Sequence, residues 1–458
     1  MQTYNKLALI LWMMIVSMAS FADDDFQKSF EAFAKDNQNS MQGFVNNLDQ
    51  EFVQMLEQNW AEFQAMPPLK RDKAPKPKVA PRYTPHINET HKKQSALVEE
   101  IPFVAIEKLS TSTEVLHGLG IFDFYGHTIN LPTIEVSPVK SVSQESLSRF
   151  WLAQSEFDNV GIIEQLTSLK HKLALSDWAC WQLIQGYLSS LNLASNERQA
   201  MAWFLLTKLG YKVKVAYDSD DIVLLAAFEQ TAYEMTYFVI NGVRYYQING
   251  HKLKGVKTYH GEYSDNNEAL NLAFDKTLKT KIEPRARHIS YHWDNENIEL
   301  SIPYDVQRVQ YLRTIPQLDL EFYFRAPIDG ITLNAFKQQL LPKLKGSQEQ
   351  NINHLLSLIH QAFPYAIDEL QFGEENYLLF EETLHYQASD CEDRSILFAG
   401  LVKHLLKTQV IGLDYPGHIA AGVVIKGAYQ VADPTFIGAA LGDVMPNYLK
   451  TIPVQIIF

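Results

Sequence analysis

The sequence predicts an α+β protein, because helical and strand-like stretches form separate blocks along the chain. Apolar residues recur at helical spacing over residues 144–210, and strand-like segments follow at 212–248. A second block repeats this order, with helices at 332–345 and 350–363 and then a helix and two strands from Cys391 onward. Helices and strands grouped in this way are typical of the α+β class.

The first 22 residues have the composition of a signal peptide. Lys6 supplies a positive charge, residues 7–19 form an apolar core, and Ser20 and Ala22 are small residues suited to cleavage after Ala22. The core is short for a membrane span, and an uncleaved N-terminal anchor is the alternative. No cysteine lies near the cleavage point, which argues against a lipoprotein anchor. We therefore expect a periplasmic or secreted protein.

Residues 23–66 are predicted to form a helical arm, and residues 67–100 a linker. Apolar side chains recur along the arm mostly at three- and four-residue steps, so they form one stripe. This stripe favours docking on the body of the protein, and a partner protein is the alternative occupant. The linker alternates prolines with lysines, which predicts an extended, solvated segment. Contact of its basic stretch 69–82 with an anionic cell-wall polymer is a second interpretation.

The remaining chain is divided into an α+β region at 101–255, a β-leaning connecting region at 256–331 and a C-terminal region at 332–458. Its two cysteines are Cys180 and Cys391. Cys180 lies in an apolar helical context, so we expect a buried, unpaired thiol. The net charge of −13 argues against a nucleic-acid partner.

The connecting region contains two strand-like runs, at residues 298–302 and 318–324. It also contains His288 and His292, which have the four-residue spacing of zinc ligands on a helix. The surrounding pattern is strand-like and offers no third ligand, so we expect neither a metal site nor a cofactor.

Cys391 stands at the start of an amphipathic helix. Ser389 or Asp390 is a suitable N-cap, so Cys391 falls in the first turn. Unpaired N–H groups and the helix dipole stabilise an anion there and are expected to lower the pKa of the thiol. Because the thiolate is the reactive form, Cys391 is a candidate nucleophile.

A histidine and an aspartate follow at strand positions. A proline–glycine turn precedes His418, which begins a strand-like run 27 residues after Cys391. Asp433 ends the next strand, 15 residues after the histidine. Adjacent antiparallel strands place His418 and Asp433 side by side, so that the carboxylate orients the imidazole and the imidazole pairs with the thiol.

These three motifs resemble the signatures of the transglutaminase-like superfamily, which has a papain-like fold. Residues 390–393 resemble its D-C-E-D signature, residues 416–418 its P-G-H signature, and residues 433–436 its D-P-T-[FY] signature. The helix at 352–363 and the tail at 442–446 are also similar to exported bacterial members of this family.

The resemblance covers about residues 332–458 and implies a thiol acyl-transfer enzyme. By resemblance, Cys391 is the nucleophile, His418 the base and acid, and Asp433 the orienting group. The implied activity is that of a cysteine peptidase or amidase that cleaves an amide in a protein or cell-envelope peptide. A protein-crosslinking transglutaminase and a non-catalytic envelope assembly or binding protein are the alternatives.

An oxyanion hole is expected beside the nucleophile. The backbone N–H of Cys391 is one natural donor, and Gln387 and Tyr386 are candidates for a second, although both also fit ordinary loop positions. Glu392 and Asp393 are expected to hold the local structure.

Residues 140–255 are a candidate for an inactive copy of the C-terminal unit. In that alignment Asn196 takes the position of Cys391, and the histidine position falls near Tyr233. A helix followed by a hairpin is also a common pattern, so an unrelated arrangement is the alternative.

Overall fold

The structure, a computed structural model, describes residues 46–58, 60–71, 76–83, 115–116, 118–250 and 253–458. The predicted signal peptide and the first half of the helical arm lie outside these residues, as does the linker beyond residue 83. The described residues form a mixed α/β structure with several separate sheets, which is compatible with the predicted α+β class.

The helical periodicity of residues 144–210 corresponds to a layer of four helices, where three runs were predicted. The first described helix is α1 (46–56), and the layer of four is formed by α2 (Gln144–Glu156), α3 (Val160–Lys172), α4 (Asp177–Ser190) and α5 (Ser195–Lys208). A serine hydroxyl caps the N-terminus of α2 and another caps α4. The apolar faces meet around Trp151 and Trp203, whose ring centroids are 4.6 Å apart.

A six-stranded antiparallel sheet follows this layer, in the order β1-β9-β5-β6-β8-β7. Its strands are β1 (Trp60–Gln64), β5 (Val213–Asp218), β6 (Asp221–Ala227), β7 (Tyr237–Ile240), β8 (Val243–Gln247) and β9 (Gly255–Tyr259). Alternate residues of β6 belong to two different apolar clusters. Ile222 and Leu224 join the main core, whereas Val223 and Leu225 join a smaller cluster. This strand is therefore buried on both faces.

Two smaller antiparallel arrangements flank the first block. Their strands are β2 (Val115–Leu116), β3 (Leu119–Phe124) and β4 (His127–Pro132), then β10 (Pro284–Trp293) and β11 (Glu296–Asp305). Asp294 and Asn295 join β10 to β11, and both have positive φ, a conformation that these two residue types tolerate. The predicted strand at 298–302 is confirmed as part of β11.

The second block begins with helices and ends with a four-stranded sheet in the order β14-β13-β12-β15. The helices are α6 (Val306–Leu312), α7 (Leu320–Arg325), α8 (Gly330–Gln339), α9 (Gln348–Ala362), α10 (Asp368–Gln371), α11 (Phe380–His385) and α12 (Cys391–Leu401). The strands are β12 (Val410–Tyr415), β13 (His418–Ile425), β14 (Ala428–Ala432) and β15 (Val454–Ile456). Strands β12 and β15 were not predicted. Helix α12 packs on β13.

The predicted helical arm is not helical throughout. Residues 46–56 are helical, but Trp60–Gln64 forms β1, which pairs antiparallel with β9 at the sheet edge. The prediction of helix at 60–64 was therefore wrong. Trp60 and Phe63 fit a helical step in sequence, and pairing with a strand about 200 residues away in sequence carries no local signal.

The predicted strand at 318–324 was also wrong. Residues Leu320–Arg325 form α7, in which Leu320, Tyr323 and Phe324 are buried. These positions have the i, i+3, i+4 spacing of a helical face, which is difficult to distinguish from a strand in so short an apolar run.

One contiguous apolar cluster extends through both blocks. It includes Trp203 and Leu224 from the first block and Leu397 and Val423 from the second. The helix that carries Cys391 is therefore supported by a large core.

Candidate active site

Helix α12 positions Cys391 at its first residue, and Asp390 is the N-cap, as predicted. The carboxylate of Asp393 accepts hydrogen bonds from the backbone N–H of Asp390 at 3.1 Å and of Leu378 at 2.8 Å. Asp393 thus holds the helix start in place, in agreement with the structural role expected for it.

Strands β13 and β14 bring His418 and Asp433 together. His418 is the first residue of β13, and Asp433 directly follows β14. The strands pair antiparallel, with Ala421 opposite Ala432. His418 Nε2 lies 2.8 Å from Asp433 Oδ2, and both side chains are almost completely buried. The structure therefore places these two predicted site residues in direct hydrogen-bond contact.

The carboxylate of Asp433 selects the tautomer of the neutral His418 ring. A carboxylate only accepts, so Nε2 carries the hydrogen and Nδ1 keeps a lone pair. Nδ1 is buried and has no hydrogen-bond partner among the described residues. Burial opposes ionisation of Asp433, but His418 and the N–H groups of Thr435 and Phe436 outweigh it and hold the pKa of Asp433 below its usual value.

Cys391 and His418 belong to one helix–strand junction. The hydroxyl of Ser395, one turn after Cys391, donates to the carbonyl of Ile419 at 3.1 Å. The ring of Tyr448 stacks on His418 with centroids 5.6 Å apart and planes inclined by 9°. Burial raises the pKa of Tyr448, and the charge of Cys391 raises it further. Tyr448 thus stacks on His418 and lies within electrostatic range of Cys391, and no sequence signal had marked it.

The Cys391 thiol donates its hydrogen bond to Glu392, with Sγ 2.8 Å from Oε2, and not to His418. The cysteine is fully buried. Burial raises the pKa of the thiol well above its usual value, the charges of Glu392 and Asp390 raise it further, and Lys76 opposes them. The predicted lowering of this pKa was therefore wrong for the structure described. Burial and two carboxylates outweigh the helix N-terminus.

Lys76, from the predicted linker, lies in a cluster of carboxylates beside Cys391. Its side chain is only 10% exposed, so the prediction of a solvated segment was wrong at this residue. The Nζ atom approaches four carboxylates: Glu375 at 2.5 Å, Asp390 at 2.5 Å, Glu392 at 2.8 Å and Asp368 at 3.9 Å. A sequence stretch of alternating prolines and lysines gives no sign that one ammonium group is buried.

The cluster contains more acid than base. Burial raises the pKa of Asp368 and of Asp390, and neighbouring carboxylates raise both further. Burial disfavours the charged form of Lys76, but the carboxylates outweigh it and raise its pKa. Several carboxylates therefore share one ammonium group in a poorly solvated space.

The same acidic groups have the geometry of cation ligands. One ligand atom from each of Asp368, Glu375 and Asp390 lies within 4.8 Å of the others, as do those of Asp390, Cys391 and Glu392. Carboxylate oxygens suit hard cations. The ammonium group of Lys76 supplies the positive charge at this place.

The two side chains proposed for the oxyanion hole are Gln387 and Tyr386. Gln387 is exposed. Tyr386 packs its ring against Phe372, with centroids 5.1 Å apart, and beneath the guanidinium group of Arg313. Its hydroxyl is buried and without a hydrogen-bond partner among the described residues. The structure joins neither side chain to Cys391 by a hydrogen bond.

Asn196, which the sequence aligns with Cys391, also sits at a helix–strand junction. Its Nδ2 donates to the carbonyl of Asp220 at 2.8 Å, and its Oδ1 accepts from the N–H of Ile222 at 3.1 Å. Tyr233, aligned near the histidine position, instead donates to Asp319 at 2.6 Å. Asn196 therefore joins the start of α5 to the beginning of β6. Tyr233, which the sequence alignment places near the histidine position, takes no part in this contact.

The remaining sequence candidates have structural roles. Cys180 is a buried free thiol within α4, and burial raises its pKa to about 11. His288 and His292 lie on β10, as the strand-like pattern predicts. Four residues of strand separate them by about 13 Å, too far to bind one zinc ion.

No family model matches the chain, and no curated protein or solved structure matches it. Each helix in the described part of the chain is too short or too polar to cross a lipid bilayer.

Proposed function

We propose that the chain is an exported thiol acyl-transfer enzyme of the transglutaminase-like type, with a papain-like C-terminal unit, and that it acts as a cysteine peptidase or amidase. The observation that supports this most strongly is the buried His418–Asp433 hydrogen bond of 2.8 Å. It leaves Nδ1 of the ring unpaired beside the helix that begins with Cys391. A nucleophile, a base and an orienting carboxylate are the groups that covalent acyl transfer requires.

In the proposed reaction, Cys391 Sγ attacks the carbonyl carbon of an amide while its proton passes to Nδ1 of His418. Asp433 stabilises the imidazolium that forms. The backbone N–H of Cys391, at the helix start, donates to the oxyanion. The C–N bond then breaks, the amine leaves with the proton from Nδ1, and a thioester remains. Water, deprotonated by Nδ1, hydrolyses the thioester to a carboxylate and restores the thiol.

The raised pKa of Cys391 determines how this reaction begins. The starting group is a neutral thiol, so His418 acts as a general base during the attack. For the attack, Sγ exchanges its hydrogen bond with Glu392 for one with Nδ1 of His418.

Transfer to an amine, giving a protein crosslink, is the second candidate. The observation that favours it is the primary ammonium group of Lys76 beside the nucleophile. Glu392 accepts from the thiol and pairs with this ammonium group, so a lysine side chain fits beside Cys391. An amine that attacks the thioester in place of water gives an isopeptide bond.

The proposal is tested by the pH dependence of Cys391 alkylation with iodoacetamide, measured by peptide mapping. The full mature chain is compared with His418→Ala, both as such and with Lys76→Met, because Lys76 lies beside the thiol. We expect faster labelling at neutral pH when His418 is present. Labelling that rises only with alkaline titration and is identical with and without His418 in both backgrounds would support a non-catalytic binding protein instead.

A further inference from the structure

Residues 76–83, called the strap below, begin beside the candidate nucleophile. Lys76 forms ion pairs with the residues on both sides of Cys391. The next carbonyl, that of Pro77, accepts a hydrogen bond from the Tyr365 hydroxyl at 2.7 Å. Burial raises the pKa of Tyr365, and the backbone of this residue pairs with Ser389, two residues before Cys391. The first end of the strap is therefore fixed at the nucleophile.

The other end of the strap is fixed beside the loop that follows Asp433. Ile437 donates its N–H to the carbonyl of Pro81 at 2.8 Å, and its own carbonyl accepts from the N–H of Tyr83 at 2.8 Å. The Tyr83 ring meets Phe436 edge-on, with centroids 5.6 Å apart. This end is held mainly through the backbone.

Arg71, the last described residue before the strap, is also held in place. The guanidinium group of Arg71 lies 3.5 Å from the centre of the Tyr377 ring, and one of its nitrogens donates to the carbonyl of Leu318 at 2.6 Å.

Cys391, His418 and Asp433 are closed to solvent. Cys391 is 0% exposed, and His418 and Asp433 are each 2% exposed. In contrast, Val79 in the middle of the strap is 77% exposed. The strap thus has an outer side in solvent and holds its contacts along the inner side.

We infer that the strap occupies, in cis, the cleft where an extended peptide substrate with a lysine side chain binds, and that it keeps Cys391 closed until it is displaced. This inference deepens the proposed function and rests on it for the identity of the cleft as an active site. Pairing of the strap with Ile437 engages main-chain groups that any extended peptide presents. The acidic cluster selects the ammonium group.

A purely stabilising role accounts poorly for the buried cluster. Removing several charges from water costs more than their attraction usually returns, and apolar residues would stabilise the fold as well or better. A binding role explains the cluster better, because it would hold the ammonium group of Lys76 tightly and exchange it for that of a peptide substrate.

The closing role is tested with Lys76→Met, and Lys78→Met is the matched control because Lys78 is an exposed lysine of the same strap. The readout is the limiting rate of Cys391 alkylation by iodoacetamide in the full chain at alkaline pH, where the thiol is ionised in every variant, because loss of the Lys76 charge by itself raises the thiol pKa. Circular dichroism is the check on folding. We expect Lys76→Met to increase the rate on the order of tenfold or more, because it removes charge-assisted hydrogen bonds. Lys78→Met should leave the rate unchanged.

Tyr83→Ala at the other end gives an independent test, in case Lys76→Met does not fold. It removes the ring contact with Phe436 while leaving the acidic cluster intact. Faster alkylation is expected here as well. Unchanged alkylation in a folded Lys76→Met variant, or in Tyr83→Ala where only that variant folds, would overturn the inference.

The peptide-binding role is tested in trans with an N-acetylated octapeptide of residues 76–83. This peptide should protect Cys391 of the Lys76→Met variant from alkylation, and the same peptide with methionine in place of its first lysine should not. Equal protection by both peptides, or by neither, would overturn the lysine specificity.

Different experimental results would contradict closure by the strap and the proposed catalytic function. If Lys76→Met exposes Cys391 and the octapeptide protects it, but His418→Ala does not alter the alkylation profile, the strap closes a peptide-binding cleft that has no catalytic function. If alkylation depends on His418 but not on Lys76 or Tyr83, the catalytic site stands and the strap does not close it.

Discussion

The chain contains two units in which a helix precedes a pair of antiparallel strands, and different groups lie at the start of each helix. In the first, Asn196 near the start of α5 bonds to Ile222 on β6, 26 residues later. In the second, Cys391 starts α12 and His418 starts β13, 27 residues later. The helix–strand junction therefore follows from the fold, whereas reactive chemistry depends on the few side chains placed there.

The two units also differ in the charges that they bury. The first buries Lys208 against Asp49 and Lys214 against Glu262, and burial lowers the pKa of both lysines. The second buries mainly carboxylates, and burial raises the pKa of several of them, such as Glu382. The second unit thus contains buried carboxylic acids with raised pKa values, such as Glu382, whereas the charges named in the first unit are lysine–carboxylate pairs.

The largest expected effect separates the two junctions by chemistry. In the Lys76→Met background, His418→Ala should slow acetylation of Cys391 by p-nitrophenyl acetate about 10³-fold, because general base catalysis and its orientation are lost together. His292→Ala, an exposed histidine on β10, should have no effect. The measurement is the p-nitrophenolate burst, with mass spectrometry of Cys391. Equal rates for the two variants would show that the second junction is as inert as the first.

The next effect tests whether the two helices have the same structural role. Trp203 and Phe398 each lie seven residues after the aligned Asn196 and Cys391, and both are fully buried. Replacing either by alanine should lower the free energy of unfolding by about 3–5 kcal/mol, because an aromatic side chain leaves a cavity. Urea unfolding measures this. A cost below about 1 kcal/mol for only one of them would break the structural equivalence.

A smaller effect depends on pH and belongs to the second unit. Burial raises the pKa of Glu382 to about 8, above its usual value near 4.5. Its contribution to stability is therefore complete below about pH 4.5 and is lost as the pH rises through about 8. Between pH 5 and pH 8, ionisation of Glu382 should lower the free energy of unfolding of the wild type by on the order of 3 kcal/mol. Glu382→Gln should not show this decrease.

This effect is obtained from the difference between the urea-unfolding free energies of the wild type and Glu382→Gln at each pH. Other titrating groups cancel in that difference. An identical pH slope in both proteins would show that Glu382 ionises normally in the folded state.

The smallest effect concerns the first junction alone. Asn196→Ala removes a donor to Asp220 and leaves the N–H of Ile222 unpaired, so it should cost about 1 kcal/mol of unfolding free energy. Acetylation of Cys391 should stay unchanged. A large loss of acetylation would indicate that the first unit acts on the second site.

Local patterns predicted much of the fold and the geometry of one pair of residues. Turn residues and strand patterns placed His418 at a strand start and Asp433 at a strand end, and the structure joins their side chains. Periodicity predicted helical structure over residues 144–210, but as three runs where the structure has four helices. It did not predict the strand Trp60–Gln64, since its partner is far away in sequence.

The surroundings of Cys391 were not predictable from its own segment. The helix N-terminus indicated a lowered thiol pKa, but the direction is set by burial and by carboxylates that enter from several parts of the chain. Lys76 lies more than 300 residues before Cys391 in sequence, and no local pattern connects them. Electrostatics of a buried site depends on the complete three-dimensional arrangement.

Because Arg71 is held close to the strap, closure of the site depends on the effective concentration of the strap at its own cleft. Arg71 is held only five residues before Lys76, so a released Lys76 remains within about 18 Å of that point. A segment tethered so closely meets its own cleft at an effective concentration in about the millimolar range. A free peptide therefore competes with an always-present occupant, and only tight binders or a high local supply of substrate would open the site.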